Sequence, residues 1–131
     1  MDLIDVYVKQ IRSILEFAAP VWNSSLTASE VADIERVQKV FLHILLGNKY
    51  ISYKSALSFC CLESLAERRM KLCTKFAKKA LQNEKHSHWF VRNNKKVNTR
   101  SKPALLKMPR YRCERFRRSP IPYLTNLLNS L

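Results

Sequence analysis

A single glycine in 131 residues, Gly47, is the feature that most restricts the fold. Ordinary usage puts about nine in a chain this long. The tight primed turns of β-hairpins want glycine where φ is positive, so a meander or sandwich has little to turn on. Helix interiors have no use for it. The chain is therefore expected to be all-α: a small bundle of three to five helices, with a basic irregular segment before a short C-terminal helix.

Apolar spacing places the helices. Leu3, Tyr7, Ile11, Ile14, Leu15 and Ala18 recur at three- and four-residue steps and predict a helix over 3–18, with Asp2 and Asp5 near its positive end. Pro20 is expected to stop it, with Ala19 biased to extended geometry. Trp22 then plugs the corner to the next helix, and Asn23, Ser24 and Ser25 supply turn hydrogen bonds. Thr27 and Glu30 read as a capping box opening a helix over 28–46, whose buried face is Val31, Ile34, Val37, Phe41, Ile44 and Leu45. Gly47 stands where a left-handed C-terminal cap is wanted. A short helix over 53–59 comes next. Ser64 and Glu67 form a second capping box for a helix over 64–83, with Leu65, Leu72, Phe76 and Ala80 as its stripe. Its other faces carry Arg68, Arg69, Lys71, Lys75, Lys78 and Lys79, and "HSHWFVRN" is read as a further short turn.

Charge divides the chain. The 24 Lys and Arg outnumber the 10 Asp and Glu, for a net charge of +14. Residues 1–91, read as the helical domain, hold 13 basic and 9 acidic side chains. Residues 92–119 hold 11 basic side chains and one acid, Glu114. Residues 120–131 are uncharged and apolar, and they are expected to form a short helix, with Pro122 in its first turn, that packs back on the core. Within 92–119, "RYRCERF" alternates weakly and suggests extended backbone. A positive block so concentrated points to a polyanionic partner. Arg92, Lys95, Lys96, Arg100, Lys102, Lys107, Arg110, Arg112, Arg115, Arg117 and Arg118 are the candidate phosphate contacts. Tyr111 and Phe116 sit among the arginines, where exposed rings stack on unpaired bases. The competing readings are a solvated basic linker or a nuclear import signal, with the two rings as packing residues. The basic face of the 64–83 helix either continues the surface or is a solvated exterior.

The order of several words is also informative. "IRSILEFAAPVWNSSLT", "IERVQKVFLHILLG", "SYKSALSFCCLESLAERR", "HWF" and "RRSPIPYLTNLLN" together resemble the C-terminal region of non-LTR retrotransposon (LINE-type) reverse transcriptases, the post-palm, thumb-side part. The matching positions are Ile11, Arg12, Ser13, Leu15, Glu16, Phe17, Val21, Trp22, Ile34, Glu35, Val37, Gln38, Lys39, Leu65, Arg68 and Arg69. Phe17 departs from the more usual Tyr. The resemblance covers nearly the whole chain. It implies an RNA-directed DNA polymerase as parent, RNA or an RNA–DNA hybrid as ligand, and an upstream polymerase palm domain as partner. The alternative is a protein-interaction or structural remnant of a truncated reading frame, without a ligand of its own. Met1 leading directly into a helix suits such a fragment.

The sequence offers no chemistry of its own. Its aspartates are Asp2, Asp5 and Asp33, and no Asp-Asp pair is present, whereas two-metal phosphoryl transfer needs converging carboxylates. The expectation is a non-enzyme with no catalytic residues, cofactor, metal or small-molecule substrate. Cys60, Cys61, Cys73, His86 and His88 lack the repeated ligand pairs of a zinc site and are read as thiols and surface imidazoles. The absence of a leader-like start and of a long apolar run predicts an intracellular chain, nuclear or cytoplasmic, with reduced cysteines and no membrane span.

Overall fold

The structure, a computed structural model, describes residues 2–94 and 104–131. The fold is all-α: helices α1 (Leu3–Val6), α2 (Arg12–Glu16), α3 (Ala19–Trp22), α4 (Ala28–Leu46), α5 (Tyr53–Phe59), α6 (Leu65–Gln82), α7 (Glu114–Arg117) and α8 (Pro120–Ser130). Among the described residues the only β-pairing is an isolated antiparallel bridge. Two compact units form, Met1–Ala19 with Leu26–Met70, and Pro20–Ser25 with Lys71–Leu131. The division falls within α6 and at Pro20, whereas the charge pattern suggests a break after residue 91.

In the first unit, α4 has the ends its sequence prescribes. Thr27 Oγ1 accepts from the Glu30 amide at 3.3 Å, and Glu30 accepts from the Thr27 amide at 2.7 Å. Gly47 ends the helix with φ +49° and ψ −121°, so the chain uses glycine's freedom here, though the ψ is not that of a left-handed helical turn. Helix α5 starts on a Ser52–Ser55 capping box, and Ser64 with Glu67 forms the one expected for α6.

The buried faces are shifted from the apolar periodicity. Val37 and Ile44 of α4 are exposed, whereas Glu35, Gln38 and Leu42 are buried. The centre of this unit is a polar network. Tyr7 Oη donates to Gln38 Oε1 at 2.7 Å, and Gln38 Nε2 donates to Tyr53 Oη at 3.2 Å and the Glu63 carbonyl at 2.8 Å. Glu35 accepts from Tyr53 Oη and from the amides of Leu65 at 3.1 Å and Ala66 at 3.3 Å. The α4 carboxylate therefore neutralises the amide end of α6 from outside that helix. Tyr7 also stacks on Phe41 at 4.1 Å between ring centroids.

The predicted helix over 3–18 is corrected in two places. A π-helical turn, Tyr7–Ile11, separates α1 from α2, and the Arg12 amide donates to the Tyr7 carbonyl five residues back. One extra residue in the turn rotates α2 about its axis, so Ile14 is exposed while Arg12 and Glu16 turn inward. Glu16 then pairs with Arg68 of α6 and lies 3.7 Å from Arg12. The helix also ends early: Ala18 takes φ +51°, and Pro20, rather than ending a helix, lies in the first turn of α3, where its fixed φ is favourable. Trp22 is half-buried in a segment, Pro20–Ser25, that groups with the second unit.

The second unit has an apolar core of Cys73, Ala77 and Ala80 from α6, Phe90, Leu106, and Leu124 and Leu128 from α8. Phe76, placed on the stripe by periodicity, is 39% exposed, because the small residues Cys73 and Ala77 face inward. The apolar tail does pack back as α8, with Ser119 at its N-cap and prolines in its first turn. Asn23 Nδ2 donates to Tyr123 Oη at 3.1 Å within this unit.

Candidate nucleic-acid interface

The basic segment is tied down where it enters and leaves. Residues 91–93 run antiparallel to 105–107: the Asn93 amide donates to the Leu105 carbonyl at 3.0 Å, and the Lys107 amide to the Val91 carbonyl at 2.7 Å, around the Arg92–Leu106 bridge. Asn129 of α8 clamps this pairing, accepting from the Leu106 amide at 2.9 Å and donating to the Leu106 carbonyl at 3.0 Å. Leu106 itself is buried. Arg92 and Lys107 thus have fixed backbones and exposed side chains.

Downstream, "RYRCERF" is not extended throughout: its end forms the single turn α7. Glu114 opens that turn and arginines close it, the arrangement the helix dipole favours. Glu114 pairs with Arg117 and lies 3.4 Å from Arg118. The Arg117 hydrogen bond holds the Glu114 carboxyl below its ordinary range, and the same bond raises Arg117. The only acid of the block is therefore engaged by two of its arginines. Arg92, Lys107, Arg110, Arg112 and Arg115 are exposed and make no ion pair with any described residue. Lys95, Lys96, Arg100 and Lys102 lie outside the described residues.

The two aromatic candidates are on the surface, Tyr111 47% and Phe116 42% exposed. Phe116 joins Trp89, Lys107, Met108, Arg110 and Ile121 in lining a groove of about 350 Å³. A larger groove of about 560 Å³ shares Val91, Lys107 and Met108 with it and adds Arg92, Asn93 and Asn94. Arg92, Lys107, Arg110 and Phe116 thus border one pair of adjoining grooves. Tyr111, Arg112, Arg115, Arg117 and Arg118 line neither.

Trp89 was not among the candidates. It lies after α6 in a short 3₁₀ turn, Ser87–Trp89, with its ring 4.6 Å from His86 and its body against the core. The sequence signal was a large aromatic three residues before the first arginine of the block. Two basic residues of α6 are used by the fold: Arg68 holds Glu16, and Arg69 is buried. Lys71, Lys75, Lys78 and Lys79 remain exposed.

Among the described residues no three His, Cys, Asp or Glu side chains gather as metal ligands, and no helix is long and apolar enough to cross a membrane. No family model matches the chain, and neither a curated protein nor a solved structure matches it.

Proposed function

We propose that the chain is a non-catalytic nucleic-acid-binding module, the C-terminal part of a retroelement RNA-directed DNA polymerase, gripping template RNA or an RNA–DNA hybrid. One observation carries the reading: Arg92, which is brought beside residues 105–107 by the antiparallel pairing, and Lys107, Arg110, Arg112 and Arg115 are exposed and unpaired with any described carboxylate. Such cations neutralise phosphates and release counterions, which gives affinity with little sequence preference. The parentage rests on the sequence resemblance, and the upstream palm domain is the partner it implies. Five of the residues that carry the resemblance, Arg12, Glu16, Glu35, Gln38 and Arg68, lie in the first unit's hydrogen-bonded and ionic set. Changing Lys107, Arg110, Arg112 and Arg115 together to Gln should abolish low-salt RNA retention while leaving the helical circular dichroism intact. Undiminished retention would overturn the reading.

A second reading, a protein-interaction or structural module without nucleic acid, draws on a different observation. Ile44, Ile51 and Phe59 of the first unit are 74%, 87% and 73% exposed. Ile51 and Phe59 line an apolar pit of about 120 Å³. A soluble monomer that ignores RNA at low salt would favour this second reading.

A further inference from the structure

We propose that the groove between Trp89 and Phe116 seats one unpaired nucleobase, so that the ligand of this surface is single-stranded nucleic acid. The inference rests on the nucleic-acid reading above and narrows its substrate class.

The groove combines two chemistries that a phosphate surface alone does not need. Trp89, Phe116, Met108 and Ile121 give it an apolar, partly aromatic lining, while Lys107 and Arg110 line the same space. Among the described residues no carboxylate lines it. At about 350 Å³ it lies at the small end of the range for ligand pockets, a scale suited to one flat ring system rather than a helix. Phe116 is 42% exposed, so part of its ring is open to a visitor. It lies on the α7 turn, where the Arg117 amide donates to the Cys113 carbonyl at 3.2 Å and the Arg118 amide to the Glu114 carbonyl at 3.1 Å.

Duplex nucleic acid fits this chemistry poorly, because its bases are stacked on one another and their faces are covered. An acidic peptide would satisfy Lys107 and Arg110, but would cover the apolar lining only where an apolar side chain stood beside its acids. A single strand meets both demands: its base covers the rings, and its flanking phosphates meet Lys107, Arg110 and the neighbouring Arg92. Arg92 lines the adjoining groove, which shares the Lys107 and Met108 wall. The strand therefore meets basic side chains in both adjoining grooves.

The test compares three labelled probes on the full chain by fluorescence anisotropy: a uridine dodecamer, an abasic dodecamer with the same phosphates, and a twelve-base-pair RNA–DNA hybrid. Stacking of one base is expected to make the uridine probe bind roughly tenfold more tightly than the abasic one. Phe116→Ala should bring that ratio towards one while leaving abasic binding unchanged, and Phe116→Tyr should keep it. Equal binding of the uridine and abasic probes by the unaltered chain overturns the base seat and leaves the phosphate-binding reading standing. Preference for the hybrid overturns the seat as well, and so does competition by polyglutamate as effective as that by the uridine probe. Failure to bind any probe overturns both proposals. Should Phe116→Ala lose its helical signal, a 4-thiouridine probe photo-crosslinked to the unaltered chain decides. Crosslinks at Trp89 or Phe116 are expected, and crosslinks confined to other positions contradict the seat.

Discussion

Gln38 concentrates the first unit's polar chemistry in one side chain. It is fully buried, accepts from Tyr7 and donates to Tyr53 and the Glu63 carbonyl. Gln38→Leu keeps the volume roughly and removes the acceptor of the buried Tyr7 hydroxyl. A buried group left unpaired costs roughly 1–3 kcal/mol, so the variant should lose about 3 kcal/mol in urea denaturation. A loss under about 1 kcal/mol would mean the network relaxes around the gap. The same residues give the fold an alkaline limit. Burial pushes the Tyr7 phenol up to about 12, against the opposing field of Arg12. Tyr53 is raised too, first by burial and then by its hydrogen bond to Glu35. A phenol whose folded pKa exceeds its unfolded one adds stability that is complete below the unfolded pKa, about 10, and is lost as pH rises through the folded value. Denaturant midpoints should therefore hold to about pH 10 and fall towards pH 12, in step with phenolate absorbance. A midpoint unchanged at pH 12 would contradict the burial. None of this was legible from apolar spacing, which passes over Glu35 and Gln38: their partners come from α5, the start of α6 and the π-helical turn.

At the scale of elements, legibility tracked local chemistry. The bounds of α4 and α5 and the start of α6 were readable because caps, glycine and period all act within a few residues. Gly47 illustrates this. Its φ of +49° suits glycine, and an added Cβ would meet nothing within 4 Å, so the cost of Gly47→Ala is conformational alone. That cost should be about 1–3 kcal/mol, the range for a side chain held in a sparsely populated positive-φ region, read as a lower melting temperature. A neutral result would mean that the end of α4 relaxes freely. The π-helical turn escaped because its cause is tertiary: it brings Arg12 and Glu16 round to α6, where Glu16 finds Arg68. The pairing of 91–93 with 105–107 escaped for a related reason. It depends on the Asn129 clamp from α8, more than twenty residues away. The groove was half legible. Phe116, Lys107, Arg110 and Arg92 were marked by the charge run, whereas Trp89 lay just outside it.

For the whole molecule, the decisive property is where charge goes unneutralised. In the first unit several acids are engaged internally: Glu16 with Arg68, Glu35 at the start of α6, and Glu30 in its cap. In the second unit, Glu114 is the only acid of the basic segment and is held by Arg117 and Arg118. At least five cations, Arg92, Lys107, Arg110, Arg112 and Arg115, therefore remain for an external polyanion. The salt dependence of RNA affinity tests this most directly. Five phosphate contacts predict that log affinity falls against log salt with a slope of about −3.5 to −4.5, becoming shallower by about 0.7 to 0.9 for each of these residues changed to Gln. A slope near zero, or one that the Gln substitutions leave unchanged, would contradict the claim that this surface grips a nucleic-acid backbone.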